Sequence, residues 1–213
     1  MQANTNNSKK ARCILVMGGP CSGKGTYCKK LAEEFGLVPL SVGDVLRDAR
    51  LIPDEEGKKL DSFMKEFEQT GKLMPMEEIA YFLEKAIYKP GWEEKIFLID
   101  GLIKAKGGYD YWRLELSKRL ENKFVLYLEC TRSEMLRRMV ERSKTSGRLD
   151  DNENIFAKRV ETFFNRTYPC INMLRATERI VEIDSERVME FVYKEVRDVF
   201  VKHFTDLKSK LDD

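Results

Sequence analysis

Cys13-Ile14-Leu15-Val16-Met17-Gly18-Gly19-Pro20-Cys21-Ser22-Gly23-Lys24-Gly25-Thr26 decides how this chain is read. Cys13 to Met17 are apolar and partly β-branched, as in a strand buried on both faces, and from Lys24 to Phe35 the spacing turns helical. The chain between them must turn tightly, which the glycines permit. Successive backbone N–H groups then point inward, with the positive end of a helix behind them and Lys24 within reach. Such a cradle suits the phosphates of a nucleoside triphosphate.

The general phosphate-loop pattern has Ser or Thr straight after the lysine, whereas here Gly25 intervenes before Thr26. This Gly-x-Pro-x-x-Gly-Lys-Gly-Thr variant resembles the P-loop of the nucleoside monophosphate kinases, the adenylate kinase and UMP/CMP kinase family. The resemblance implies that Gly19, Pro20, Cys21, Ser22, Gly23, Lys24, Gly25 and Thr26 bind ATP. It also implies that the Thr26 hydroxyl serves near the phosphates and Mg²⁺.

At 213 residues with 42% hydrophobic and 35% charged, the chain has the composition of one globular domain. A net charge of +2 gives no global field for nucleic acid or a membrane surface, so phosphate recognition must be local. No apolar run approaches the ~18 residues of a membrane span, and the polar Met1 to Lys10 has no signal-peptide core. A cytosolic monomer is expected. Five cysteines without a Cys-x-x-Cys pair, and the single His203, argue against disulfides and zinc.

Leu37 to Leu40 reads as a second strand, and Ser41-Val42-Gly43-Asp44-Val45-Leu46-Arg47 as the entry to a helix. This run is similar to the family's Ser/Thr-x-Gly-Asp/Glu-x-Leu-Arg motif, in which the arginine holds the acceptor's phosphate, a bidentate task suited to guanidinium. Gly57 to Glu68 and Met76 to Tyr88 are amphipathic helices. Gly71-Lys72-Leu73-Met74-Pro75 between them resembles the family segment that borders the acceptor base. The resemblance therefore places Ser41, Gly43, Arg47, Met74, Lys104 and Gly108 at the acceptor site.

Ile96 to Gly101 is a strand ending in a carboxylate, and Asp100 at its carboxyl end faces the loop mouth, placed to hold Mg²⁺ through water with Thr26. The family then continues Asp-Gly-(Phe/Tyr)-Pro-Arg with an amide four positions on. This chain has Asp100-Gly101-Leu102-Ile103-Lys104 and Gly108, so the proline, the arginine and the base-reading amide are absent. Lys104 keeps the charge without the planar fork, and Gly107-Gly108 reads as flexible.

Trp112 to Leu120 reads as helical, Phe124 to Leu128 as a strand, and Ser133 as the cap of a helix reaching Arg142. Arg138 and Arg142 share one face of it. Arg142, the run Ser146-Gly147-Arg148-Leu149-Asp150-Asp151-Asn152 and Arg159 match the short-lid signature of the family. There such arginines close over the transferring phosphoryl group, Asp150 and Asp151 pair with them, and the residue at Arg138 packs on the ATP base. Ile180 to Ile183 is a fifth strand and Val188 to Phe204 a closing helix. Five strands alternating with helices imply an α/β fold, a doubly wound five-stranded parallel sheet of the P-loop NTPase type.

The resemblance thus divides the single domain, residues 1–213, into a core (11–40, 76–142 and 153–205), an acceptor-binding insert (41–75) and a lid (143–152). It implies transfer of the γ-phosphoryl of Mg-ATP to a nucleoside monophosphate, with Lys24, Arg142, Arg148, Arg159 and Lys104 catalytic. AMP is slightly favoured, with UMP/CMP as the alternative, to which Ser41 and Trp112 lean. The altered 102–108 segment keeps open another reading, a nucleotide-binding scaffold or sensor that has lost efficient catalysis. Cys21 lies among N–H dipoles that favour a thiolate, although a small side chain at a tolerant loop position is the plainer account.

Overall fold

The computed structural model describes residues 9–70, 74–144 and 153–204. Strand β1 (Ala11–Gly18) runs through the middle of the sheet, and its alternate side chains feed two cores. Cys13, Leu15 and Met17 enter one, while Ile14 and Val16 enter the other, as the two-residue period of a doubly covered strand requires. The remaining strands are β2 (Val38–Ser41), β3 (Ile96–Asp100), β4 (Leu120–Glu129) and β5 (Ile180–Asp184). They lie in the order β2-β3-β1-β4-β5, every neighbouring pair parallel.

Parallel strands need crossovers, and here they are helical. Helix α1 (Lys24–Phe35) and the last helix, Met189–His203, cover one face. The other face carries α2 (Val42–Ala49), α3 (Glu55–Thr70), α4 (Met76–Tyr88), α5 (Lys106–Leu114), α6 (Arg132–Ser143), α7 (Glu153–Thr162) and α8 (Tyr168–Thr177). A π-helical stretch, Phe163–Thr167, joins α7 to α8, and the last helix is therefore α9. After β1 the chain passes over to β2 beyond β3, and later to β4 on β1's other side. The winding direction reverses at β1, so a crevice opens at its carboxyl end.

Three local expectations are corrected. Gly107 and Gly108 lie inside α5, which starts at Lys106, ahead of the expected Trp112. The glycine at 108 is there for close approach: a Cβ would lie 3.0 Å from the Leu102 carbonyl oxygen and 3.3 Å from the Ile103 Cα. Leu102 and Ile103 are themselves buried, so the turn after β3 packs down onto the first turn of α5. Helix α6 is capped by Thr131, not Ser133, because the Thr131 hydroxyl accepts the Glu134 N–H. Strand β4 begins at Leu120, four residues before the expected Phe124. A bulge interrupts its pairing with β1, and there the Asn122 side-chain oxygen takes the Leu15 N–H at 3.1 Å.

Candidate active site

The loop after β1 is shaped by backbone that most side chains avoid. Gly23 has φ +92°, and Cys21, a non-glycine, has φ +59°. Gly23 is the N-cap of α1 and offers no side-chain acceptor, so the first N–H groups of α1 stand available to an anion. Close approach fixes the rest, since a Cβ on Gly19 would come within 2.1 Å of the Met135 methyl carbon. Lys24 spans the loop, its Nζ donating to the Gly18 and Gly19 carbonyl oxygens, each at 2.8 Å.

Pro20 to Thr26 wall a cavity of about 690 Å³ together with Ser41, Asp44, Arg47, Asp100, Arg138, Arg142 and Arg159. The fold thus brings together the β1–α1 loop, the start of α2, the end of β3, and faces of α6 and α7. Lys24, Arg47, Arg138, Arg142 and Arg159 outnumber Asp44 and Asp100 in this wall, and the resulting field suits a polyanion. Register carries Asp100 there: it pairs with Val16 on β1 and with Ser41 on β2. Ser41 caps α2 by accepting the Asp44 N–H, and Arg47, one turn on, pairs with the Asp44 carboxylate. Sequence reasoning missed Asp44 as that partner, although the three-residue spacing signals it.

Lys104 does not line the cavity itself. Its side chain folds back over Gly101, where a Cβ would meet its Cε at 3.4 Å. The residue is exposed, and desolvation by the groups around it still pushes its pKa down. Asp100 pulls it back up, while Arg159, Lys24 and Arg47 push the same way as desolvation. Gly19, Gly43, Met74 and Gly108 are not among the residues that line it either. Gly19 lies against Met135, and Gly43 leaves room for the Arg47 guanidinium, 3.3 Å from where its Cβ would be. Met74 packs on the core and Gly108 is buried under the turn. Arg148, with the rest of 145–152 including Asp150 and Asp151, lies outside the described residues, as does Gly71-Lys72-Leu73.

Arg138 bridges two loops. Its Nη2 donates to the Ser185 carbonyl at 2.6 Å, its Nη1 to the Cys21 carbonyl at 3.3 Å and its Nε to Glu134 at 2.7 Å. Neither Ser185 nor Glu134 was expected from the sequence. The i,i+4 spacing pointed to Glu134, and nothing local pointed to Ser185. Away from this loop a second cavity, about 610 Å³, is lined by Tyr127, Glu129, Arg132, Asp184 and Glu186 among others. Its three carboxylates against one arginine make it a poor place for a triphosphate. Cys28, beneath the loop, is pushed up to about 12 by burial and then by Asp100, with Lys24 opposing, so it is an inert thiol at neutral pH.

The adenylate kinase family model matches residues 16–179. Among curated proteins the chain is 34% identical to a UMP-CMP kinase of Danio rerio over 197 residues, covering 91% of this chain and 98% of that protein. It is 32% identical to the UMP-CMP kinase of Homo sapiens over the same shares, and 32% identical to that of Xenopus tropicalis over 88% of this chain and 95% of that protein. The phosphate loop, the cationic cleft at the sheet's switch point and a likeness that runs through nearly the whole sequence agree: the chain belongs to the adenylate kinase family.

Proposed function

We propose that this cleft performs the family's reaction, transfer of the γ-phosphoryl group of ATP to a nucleoside monophosphate, with the cavity wall divided between donor and acceptor. Family membership makes the chain an ATP-dependent nucleoside monophosphate kinase, a transferase. The observation that carries the division of roles is the convergence of Lys24, Arg47, Arg138, Arg142 and Arg159 on one cavity beside the loop.

Phosphoryl transfer asks little covalent chemistry of the protein; it needs in-line positioning and cancellation of charge on the equatorial oxygens. The loop N–H groups and Lys24 hold the β and γ phosphates of ATP, and the Lys24 ammonium exchanges its two carbonyl partners for phosphate oxygens. Arg47 grips the acceptor's phosphate with a fork. Arg142 and Arg159, also in the cavity wall, neutralise the group in flight, joined by Arg148. Lys104 adds charge without orientation. The acceptor arrives ionised, so no general base is required.

Thr26 and Asp100, both in the cavity wall, fit Mg²⁺, which keeps much of its water and binds through few carboxylates. Held by these two residues, the ion would supply positive charge to offset that of the phosphates. A cytosolic, monomeric enzyme belongs to the same proposal.

The names of the relatives favour UMP and CMP as acceptors beside AMP. The test is ADP production from Mg-ATP by purified protein offered AMP, UMP, CMP, dCMP and GMP separately, against a blank without monophosphate. Turnover with at least one is expected. ATP binding without acceptor-dependent turnover would instead establish a scaffold or sensor.

A further inference from the structure

Helix α6 opens with Thr131-Arg132-Ser133-Glu134, the spacing of a capping box. In such a box the glutamate carboxylate returns to the N-cap N–H. Here it does not: the Thr131 N–H donates to Glu186, which comes from the turn after β5. Glu134 is thereby released from capping and turns along the helix to accept from Arg137 and Arg138, with Nε of each at 2.7 Å.

The two pairs differ in surroundings. The side chains of Glu134 and Arg138 are 16% and 20% exposed, whereas Arg137 is 56% exposed. Water screens the Arg137 pair, so the Arg138 pair has more effect on geometry. With Nε held by Glu134, the planar guanidinium has its other two nitrogens aimed at the Cys21 carbonyl in the phosphate loop and the Ser185 carbonyl after β5. A guanidinium fork fixed at one edge fixes the direction of the others.

We propose that Glu134 is a positioning residue for the ATP subsite: by locking Arg138, it sets the separation between the phosphate loop and the turn that follows β5. This rests on ATP occupying the cleft, as proposed above. The effect is on donor binding, since Arg138 reaches neither Arg47 nor the turn after β3 through any of these bonds.

The test is steady-state kinetics of wild type, Glu134→Gln and Arg137→Gln with the best acceptor, varying ATP and acceptor in turn. Glu134→Gln, which removes a charge-assisted bond, is expected to raise KM for ATP by about tenfold, with kcat and the acceptor KM within about twofold. Arg137→Gln leaves all three unchanged. Glu134→Asp, one methylene short of Arg138, should show the same ATP-specific rise and serves if the amide variant does not fold. An ATP KM within twofold of wild type in both Glu134 variants overturns the proposal, as does an equal rise in both KM values, which is the signature of general loosening. A wild type without turnover would instead refute the kinase reading on which it rests.

Discussion

The Leu102 carbonyl oxygen occupies the space into which any side chain at Gly108 would grow, since a Cβ on Gly108 comes within 3.0 Å of it. The neighbour is backbone and the turn carrying it is buried, so the contact is not easily relieved. Gly108→Asn is therefore expected to fail as a restoration of the family's amide. Overpacking costs about 1–3 kcal/mol, and the better helix propensity of Asn returns only a few tenths. The melting temperature should fall by roughly 2–8 °C for a chain of this size, and relative turnover of AMP, UMP and CMP should not change. A variant of undiminished stability with altered base preference would mean that this turn opens onto the acceptor.

Cys21 holds a left-handed conformation that costs a non-glycine residue about 1–2 kcal/mol, against about 0.4–1 kcal/mol of extra unfolded-state entropy for glycine. Cys21→Gly should accordingly raise the melting temperature by roughly 1–3 °C. Its carbonyl bond from Arg138 is a backbone contact and survives. Cys21→Val, β-branched at the same φ, should lower it. Thermal denaturation of both variants decides the matter, and a fall for Cys21→Gly would show that the thiol makes contacts that outweigh the strain.

Lys24 gives two hydrogen bonds to the loop it serves, so Lys24→Met removes both a structural tie and a phosphate donor. Turnover should drop on the order of 10²–10³-fold, the effect of losing one preorganised donor at a site of developing charge. Far-UV circular dichroism should stay native, because the glycine contacts that shape the loop are retained.

The depressed pKa of Lys104 gives a pH dependence with a definite sign. Desolvation and three neighbouring cations disfavour its protonated form, with Asp100 opposing, so the free enzyme loses this charge below the ordinary lysine value of 10.5. Folded protein then binds fewer protons than unfolded protein, and this group's contribution to stability rises with pH from its depressed pKa up to that value. Acceptor affinity runs the other way, falling over the same window as the phosphate loses a cationic partner. The acceptor KM should climb on the alkaline side in wild type and stay flat in Lys104→Arg. A limb that persists unchanged in Lys104→Arg would assign it to another group.

Where one residue type admits one conformation, the sequence was plainly legible. The run of apolar residues before a glycine-rich turn located β1 and the first residue of α1, and Met76 to Tyr88 emerged as α4 with both bounds as read. The errors occur where a residue serves a distant neighbour. Gly107-Gly108 looked like a flexible break because propensity alone disfavours glycine in a helix, while the reason for Gly108 is a backbone contact with residues 102 and 103. Thr131 and Ser133 are both good caps, and Glu134 three residues after Thr131 was the available sign. The Arg138 bridge to Ser185 joins residues 47 apart, a distance over which no local pattern speaks.

If the γ-phosphoryl of ATP passes to a monophosphate in this cleft, its label must pass with it. The most direct measurement follows the label of [γ-³²P]ATP during reaction with UMP, CMP or AMP. Label is expected in the nucleoside diphosphate of the added acceptor, and Lys24→Met should slow its appearance on the order of 10²–10³-fold. Label that stays in ATP with every acceptor, or appears only as inorganic phosphate, would contradict it.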